Sequence, residues 1–179
     1  MKIIAFTGAG ISKSAGIPTF EEIPGIKDQL TVEYKQSHPK EFQQAIDLLV
    51  NNVKNKEPTK AHKILAENDI PIITMNVDNL HKKAGSKTVY EIHGNYLESN
   101  IVLYGQRMHH AEEAINLVLS AASEARQNND TAILLVIGTS MQTAFAGVLA
   151  LMAEQEGMKV FYINQNADEE VEKFFELIK

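Results

Sequence analysis

The sequence has no cysteine. That excludes disulfides, a thiol nucleophile and any cysteine-ligated zinc. Positive charge is scarce: 17 Lys and Arg stand against 23 Asp and Glu, for a formal net charge of −6. No basic patch stands out, so neither nucleic acid nor an anionic membrane is expected as the main partner. Long hydrophobic runs are missing too. The apolar run at the start ends at Gly8, and the longest apolar stretch covers residues 144–153. Both are too short to span a membrane, and no signal-peptide pattern follows the first, so a cytoplasmic protein is expected. The six histidines, His38, His62, His81, His93, His109 and His110, form no HExxH-like pattern, and no structural metal is expected. Repeats, low-complexity tracts and linkers are absent as well.

What is present is alternation. Short β-rich runs at residues 2–7, 70–76, 89–92, 101–104, 132–137 and 159–163 predict strands. They are continuous Ile/Val/Leu runs, as in strands covered on both faces. Helix-period segments at 40–56, 59–67, 79–84, 111–128, 144–156 and 167–178 lie between them. The 179 residues suit one domain. The pattern predicts an α/β fold, a Rossmann-like doubly wound parallel sheet with ligand outside the strand carboxyl ends. About residues 19–57 contain no good strand and predict a mobile cofactor loop with a reduced helical cap.

The first predicted strand runs directly into Gly8-Ala9-Gly10-Ile11-Ser12. Glycines there let a backbone approach a phosphate, and a following helix presents its positive end to the same anion. The third glycine of the common dinucleotide fingerprint is displaced: position 13 is Lys13 and the next glycine is Gly16. No acidic residue closes a second strand about 20 residues later, as the ordinary dehydrogenase site requires. The turn therefore points to phosphate binding in another arrangement, or to a tight strand–helix connection with no ligand.

Four further stretches sit at predicted strand ends: Thr74-Met75-Asn76-Val77-Asp78, Glu91-Ile92-His93-Gly94, Gly138-Thr139-Ser140 and Ile163-Asn164. Singly, each has a bland reading. Asp78 is a candidate cap for the helix at Asn79, His93 a candidate core histidine, and Gly138-Thr139-Ser140 another cap. Together they would line one crevice.

Together they also resemble the sirtuin family, along nearly the whole chain and in order. Gly8 to Ser12 with Gly16-Ile17-Pro18-Thr19-Phe20 is similar to the family's GAGxSxxxGIPDFR. Thr74 to Asp78 with Leu80-His81 and Ala84-Gly85 resembles TQNIDxLHxxAG. Glu91 to Gly94 resembles ELHG, Ile101 to Gln106 resembles VVxFGE, and Gly138 to Ala146 resembles GTSLxVxPA. Pro58-Thr59-Lys60-Ala61-His62 resembles the helix that precedes the family's second strand.

The resemblance implies NAD as cofactor and an acyl-lysine protein or peptide as substrate. Gly8, Ala9, Gly10 and Ser12 would cradle the phosphates, with Phe20 in the cofactor loop. Gly138, Thr139, Ser140 and Asn164 would hold the adenosine side. Asn76, Val77 and Asp78 would line the nicotinamide pocket, and His93 would be the general base. Nicotinamide leaves C1′ of the ribose, the acyl oxygen captures that carbon, and a base must then take a proton from a ribose hydroxyl; histidine suits the task. Asn76 can hold the ribose or a water without adding charge, and Asp78 can accept from the carboxamide. The peptide would add as a strand between Val102, Leu103, Tyr104 and Gly105 on one side and residues 141–144 on the other.

Three departures from the family qualify this. Only residues 94–100 connect the ELHG-like and VVxFGE-like segments, so the zinc module is absent and one wall of the peptide cleft is reduced. Glu21 replaces the arginine of DFR; beside a pyrophosphate each unit of charge is worth on the order of a few kcal/mol at an effective dielectric of about 20. Either Glu21 points away, or Lys13 or Lys27 compensates, or NAD binds more weakly. Met75 stands in place of glutamine, at a cost of about 1 kcal/mol for one hydrogen bond. Three functions compete on this reading: a sirtuin-type lysine deacylase, an enzyme that cleaves NAD by hydrolysis or ADP-ribosyl transfer, and a non-catalytic NAD or ADP-ribose module.

Overall fold

The computed structural model describes residues 1–140 and 143–178. In chain order its elements are β1 (Lys2–Thr7), a 3-10 helix (Ala9–Ala15), α1 (Ile26–Gln29), α2 (Val32–Ser37), α3 (Pro39–Val53), α4 (Lys60–Glu67), β2 (Ile72–Thr74) and α5 (Leu80–Lys83). Then follow β3 (Val89–Glu91), a 3-10 turn (Tyr96–Glu98), α6 (Ala111–Gln127), β4 (Ala132–Ile137), α7 (Ala144–Gln155), β5 (Lys159–Ile163) and α8 (Ala167–Leu177).

The five strands form one parallel sheet in the order β3-β2-β1-β4-β5. Every residue of β4 is buried, which is why it reads as the unbroken run Ala-Ile-Leu-Leu-Val-Ile. Ile4, Phe6, Leu134 and Val136 face α6 and α7. Ala5, Ile72, Leu135 and Ile137 face α4 and α8. The sheet is thus covered on both sides, as a doubly wound fold requires. Strand order reverses between β1 and β4, the position at which doubly wound sheets bind ligands outside the strand carboxyl ends.

A third apolar cluster lies beyond the strand ends. It contains Ile26 of α1, Phe42, Ala45, Leu49 and Val53 of α3, Tyr96 and Leu103. The α3 residues recur at helical spacing, one stripe of an amphipathic helix that begins with Pro39. Phe20 and Val77 pack against the same cluster, tying the cap to the site.

The structure departs from the sequence reading at three places. Residues 101–104 form no strand; they make a single parallel bridge, between Thr31 and Tyr104. Their amides go to three different places: Val102 N–H to His93 O (2.9 Å), Leu103 N–H to Gln106 Oε1 (2.8 Å) and Tyr104 N–H to Leu30 O (2.9 Å). The strand expected at 70–76 shrinks to three residues, because Ile70 N–H closes the end of α4 on Leu65 O and Asn76 N–H turns back onto the Thr74 side chain. The region of the expected cap holds three helices, α1, α2 and α3, of which the first two are short. No helix among the described residues is long and apolar enough to cross a membrane.

Candidate active site

The glycine-rich turn is built by contact between two backbones. Gly8 N–H donates to Ile137 O (2.9 Å) and Gly10 N–H to Gly138 O (2.8 Å). A Cβ on Gly10 would lie 2.5 Å from Gly138 Cα, and one on Gly138 would lie 2.4 Å from Ile11 N. Gly138 also has φ +64, a conformation that suits glycine. Glycine is needed here so that the ends of β1 and β4 can touch. The amides of Gly8 and Gly10 are already occupied by carbonyls. Among the described residues Ala9 N–H has no such partner. The helix that follows is a seven-residue 3-10 helix, too short to carry much of a macrodipole.

Ser12 leaves this turn buried and reaches the next loop. Its hydroxyl donates to Asp78 Oδ2 (2.6 Å) and accepts from Asn76 Nδ2 (3.2 Å). Asp78 Oδ1 accepts from Leu80 N–H (3.0 Å), so its side chain meets the first turn of α5, as the capping reading expects. Burial pushes the Asp78 carboxyl above its usual range, opposed by the Ser12 and Leu80 hydrogen bonds. Asn76 N–H donates to Thr74 Oγ1 (3.0 Å), and Val77 O accepts from Tyr96 N–H (3.1 Å). Two distant motifs therefore meet in one buried polar cluster.

His93 follows β3 and is half-buried. No side-chain partner holds its ring among the described residues. Desolvation holds its imidazole below the ordinary value, so the neutral form prevails near pH 7. Its neighbour Glu91 is buried and paired with Lys82 (2.8 Å) and Asn95 Nδ2 (2.9 Å). Where the family places its zinc module, the chain makes a tight turn at Gly94, fastened by Asn95 N–H on Asn100 Oδ1 (2.7 Å) and Leu97 N–H on Asn95 Oδ1 (2.9 Å).

After β4, Thr139 is buried and Ser140 is exposed. Gly138 N–H donates to Ile163 O (2.7 Å), which brings the exposed Asn164 to the same edge. Of the second expected peptide contact, Met141 and Gln142 lie outside the described residues; Thr143 caps α7, which begins at Ala144. The first, Val102 to Gly105, has its amides at Val102, Leu103 and Tyr104 occupied as described above, with Leu103 buried and Tyr104 and Gly105 exposed. Glu21 pairs with Lys27 at 3.7 Å, both exposed, so its charge is met by Lys27. Met75 packs against the α6–α7 side of the sheet, and its sulfur accepts from Thr143 Oγ1 at 3.2 Å.

Sequence reasoning passed over a polar seam beneath the site. Thr7 and Thr74 are register partners on β1 and β2, and Thr7 Oγ1 donates to Thr74 Oγ1 (2.8 Å). His81 Nε2 lies 2.9 Å from Thr7 Oγ1. Two threonines that end adjacent apolar strands were the available signal. No group of three or more His, Asp or Glu among the described residues is arranged to hold a metal.

Comparison with known proteins agrees with this geometry. The model of the Sir2 family matches residues 8–115. An NAD-dependent protein deacylase of Aeropyrum pernix is 30% identical over 90% of this chain and 80% of its own. One of Aquifex aeolicus is 29% identical over 92% of this chain and 83% of its own. A solved structure described as "Sir2-p53 peptide-NAD+" superposes with a TM-score of 0.81 at 26% identity, over 98% of this chain and 92% of that one. With the glycine turn, the Asn76–Asp78 loop and His93 all falling inside the matched span, the chain belongs to the Sir2 family, the sirtuins.

Proposed function

We propose that the chain is an NAD-dependent protein lysine deacylase, acting in the cytoplasm, with its reaction centred between His93 and the Ser12–Asn76–Asp78 cluster. The observation that carries this is His93 itself: a half-buried imidazole with no side-chain partner, kept neutral by desolvation, at the same sheet edge as the glycine turn. A base must be free to accept a proton, and this one is.

NAD would supply the ribosyl–nicotinamide bond that is cleaved and the ribose that receives the acyl group. Gly8, Ala9, Gly10 and Ser12 would cradle the phosphates, and Gly138, Thr139, Ser140 and Asn164 would hold the adenosine side. Asn76 would hold the ribose, Asp78 would orient the nicotinamide amide, and Val77 and Phe20 would exclude water. His93 would take the ribose proton. The relatives' names, NAD-dependent protein deacylase, support the same reading.

One observation favours a second acceptor. With the amides of Val102, Leu103 and Tyr104 all taken within the chain, a peptide strand has few donors to pair with. Water, or a nucleophile that receives ADP-ribose, would then compete. Mass spectrometry of an acetyl-lysine peptide incubated with NAD decides. O-acetyl-ADP-ribose is the expected product, and it disappears in His93→Ala. Nicotinamide released at the same rate with and without peptide would refute deacylation.

A further inference from the structure

With no side-chain partner among the described residues, the His93 ring points wherever its backbone is held. That backbone enters a tight turn at once. Gly94 has φ +75, and a Cβ there would fall 2.1 Å from Asn100 O, so residues 94 and 100 can close on each other only with glycine at 94. Gly94 N–H donates to Glu91 O (3.1 Å) and Val102 N–H to His93 O (2.9 Å).

Asn95 lies inside this turn, fully buried, with both hydrogens and the oxygen of its side-chain amide in use. Nδ2 donates one hydrogen to Glu91 Oε1 (2.9 Å) and the other to Asn79 Oδ1 (2.9 Å). Oδ1 accepts from Leu97 N–H (2.9 Å). A carboxylate on one side and a backbone N–H on the other fix which way round the amide lies. Asn79 is the residue after Asp78 and has φ +64, a conformation asparagine tolerates. The Asn95–Asn79 bond thus joins the chain just after His93 to the chain just after Asp78. Two other contacts run between the same segments. Tyr96 N–H donates to Val77 O (3.1 Å), and Lys82 of α5 pairs with Glu98 of the turn (2.7 Å). The ion pair is exposed and worth little, whereas the asparagine link is sealed from water on the Asn95 side.

We propose that Asn95 and Asn79 are positioning residues for the NAD reaction: the bond between their side chains sets the separation between His93 and the Asn76–Asp78 loop. Its role in catalysis rests on the function proposed above; the bond itself does not. Neither residue is placed in the chemistry, and each acts through the neighbour it holds. Without the Asn79 oxygen, Asn95 Nδ2 keeps a buried hydrogen with no acceptor, which is costly. The turn relieves that cost by shifting toward water, and His93 shifts with it. Asn79 makes no side-chain hydrogen bond to the start of α5, so removing its side chain takes no cap from that helix.

Two substitutions at one position test this. Asn79→Gly keeps the positive φ, where glycine is at ease, and removes the oxygen; Asn79→Asp keeps an acceptor toward Asn95. The glycine variant should lose about tenfold or more in kcat, with KM for NAD within about threefold because the glycine turn and residues 138–140 are untouched. The aspartate variant should recover to within about threefold of the parent. Equal kcat in all three proteins, equal losses in both variants, or a loss confined to KM would overturn the role. Hydrogen-exchange NMR of the whole chain reads the bond without activity. The Asn95 side-chain amide protons should be protected in the parent and lose that protection in Asn79→Gly, with the β4 amides equally protected in both. Fast exchange of those protons in the parent, or protection unchanged in Asn79→Gly, would overturn the bond. A parent inactive toward acyl-lysine would instead defeat the proposed function, and the exchange measurement would still decide the bond.

Discussion

Replacing Ser12 by alanine removes one oxygen that serves two buried groups. Its hydroxyl is the 2.6 Å donor to Asp78 Oδ2 and the 3.2 Å acceptor for Asn76 Nδ2. A hydrogen bond to a charged group is worth about 1.5–3 kcal/mol, and a buried amide left unpaired costs about 1–3 kcal/mol. Allowing for partial relaxation, Ser12→Ala should lose about 2–4 kcal/mol near neutral pH, which for a chain of this length lowers Tm by roughly 5–12 °C. The loss should depend on pH with a definite sign. The Ser12 hydroxyl lowers the Asp78 carboxyl and burial raises it, so alanine leaves burial to push it further up. A folded-state carboxyl pKa that is raised favours the folded state at acid pH, where the group binds a proton that the unfolded chain does not. The cost of Ser12→Ala should therefore shrink as pH falls through the folded-state range of Asp78. Urea unfolding of both proteins at about pH 7.5 and about pH 4.5 measures this. A double-mutant cycle with Asp78→Asn should show a coupling of about 1 kcal/mol or more. A cost under about 0.5 kcal/mol, the same cost at both pH values, or strict additivity with Asp78→Asn would refute the reasoning.

Gly138→Ala should unfold or severely destabilise the chain, by about 3 kcal/mol or more, because its Cβ would fall 2.4 Å from Ile11 N at φ +64; a melting curve matching the parent's would disprove the contact. Stability should decline as pH falls from 6.5 toward 4, since burial lowers His62 from 6.5 to about 4 and the unfolded chain binds that proton first; the decline should be smaller by on the order of 3 kcal/mol in His62→Gln, with the buried His81 supplying part of what remains, and an equal decline in both proteins would refute it. Because the amides at 102–104 are occupied, lengthening the substrate should help little: KM for acetyl-lysine amide and for a long peptide should agree within about fivefold, and a preference for the peptide of about a hundredfold would show that strand pairing operates after all.

The strands that lie at the centre of the sheet were readable because burial on both faces leaves only apolar residues, as in β4. The run Ile101-Val102-Leu103-Tyr104 looks the same and is not a strand, because composition reports burial and says nothing of where amides go. Helices α1 and α2 were missed for another reason: with four and six residues they are too short to display a period. At the site, Ser12, Asn76, Asp78 and His93 could be named from motifs, whereas their mutual contacts could not. The meaning of Gly10 was half legible. A close backbone approach was foreseen, but its partner is Gly138, more than a hundred residues away, and only the fold brings them together. The contact between His62 and His81 carried no mark either, since they sit on separate helices, α4 and α5, that only the fold brings together.

The meeting of Gly10 and Gly138 restricts how this protein can change over evolutionary time. In most cores an enlarged side chain at one position can be accommodated by trimming its neighbour. Here both positions already hold the smallest residue there is. A random library selected for revertants of Gly10→Ala should yield true reversions and no compensating change at Gly138, so this pair can vary only by being abandoned together with the turn it closes.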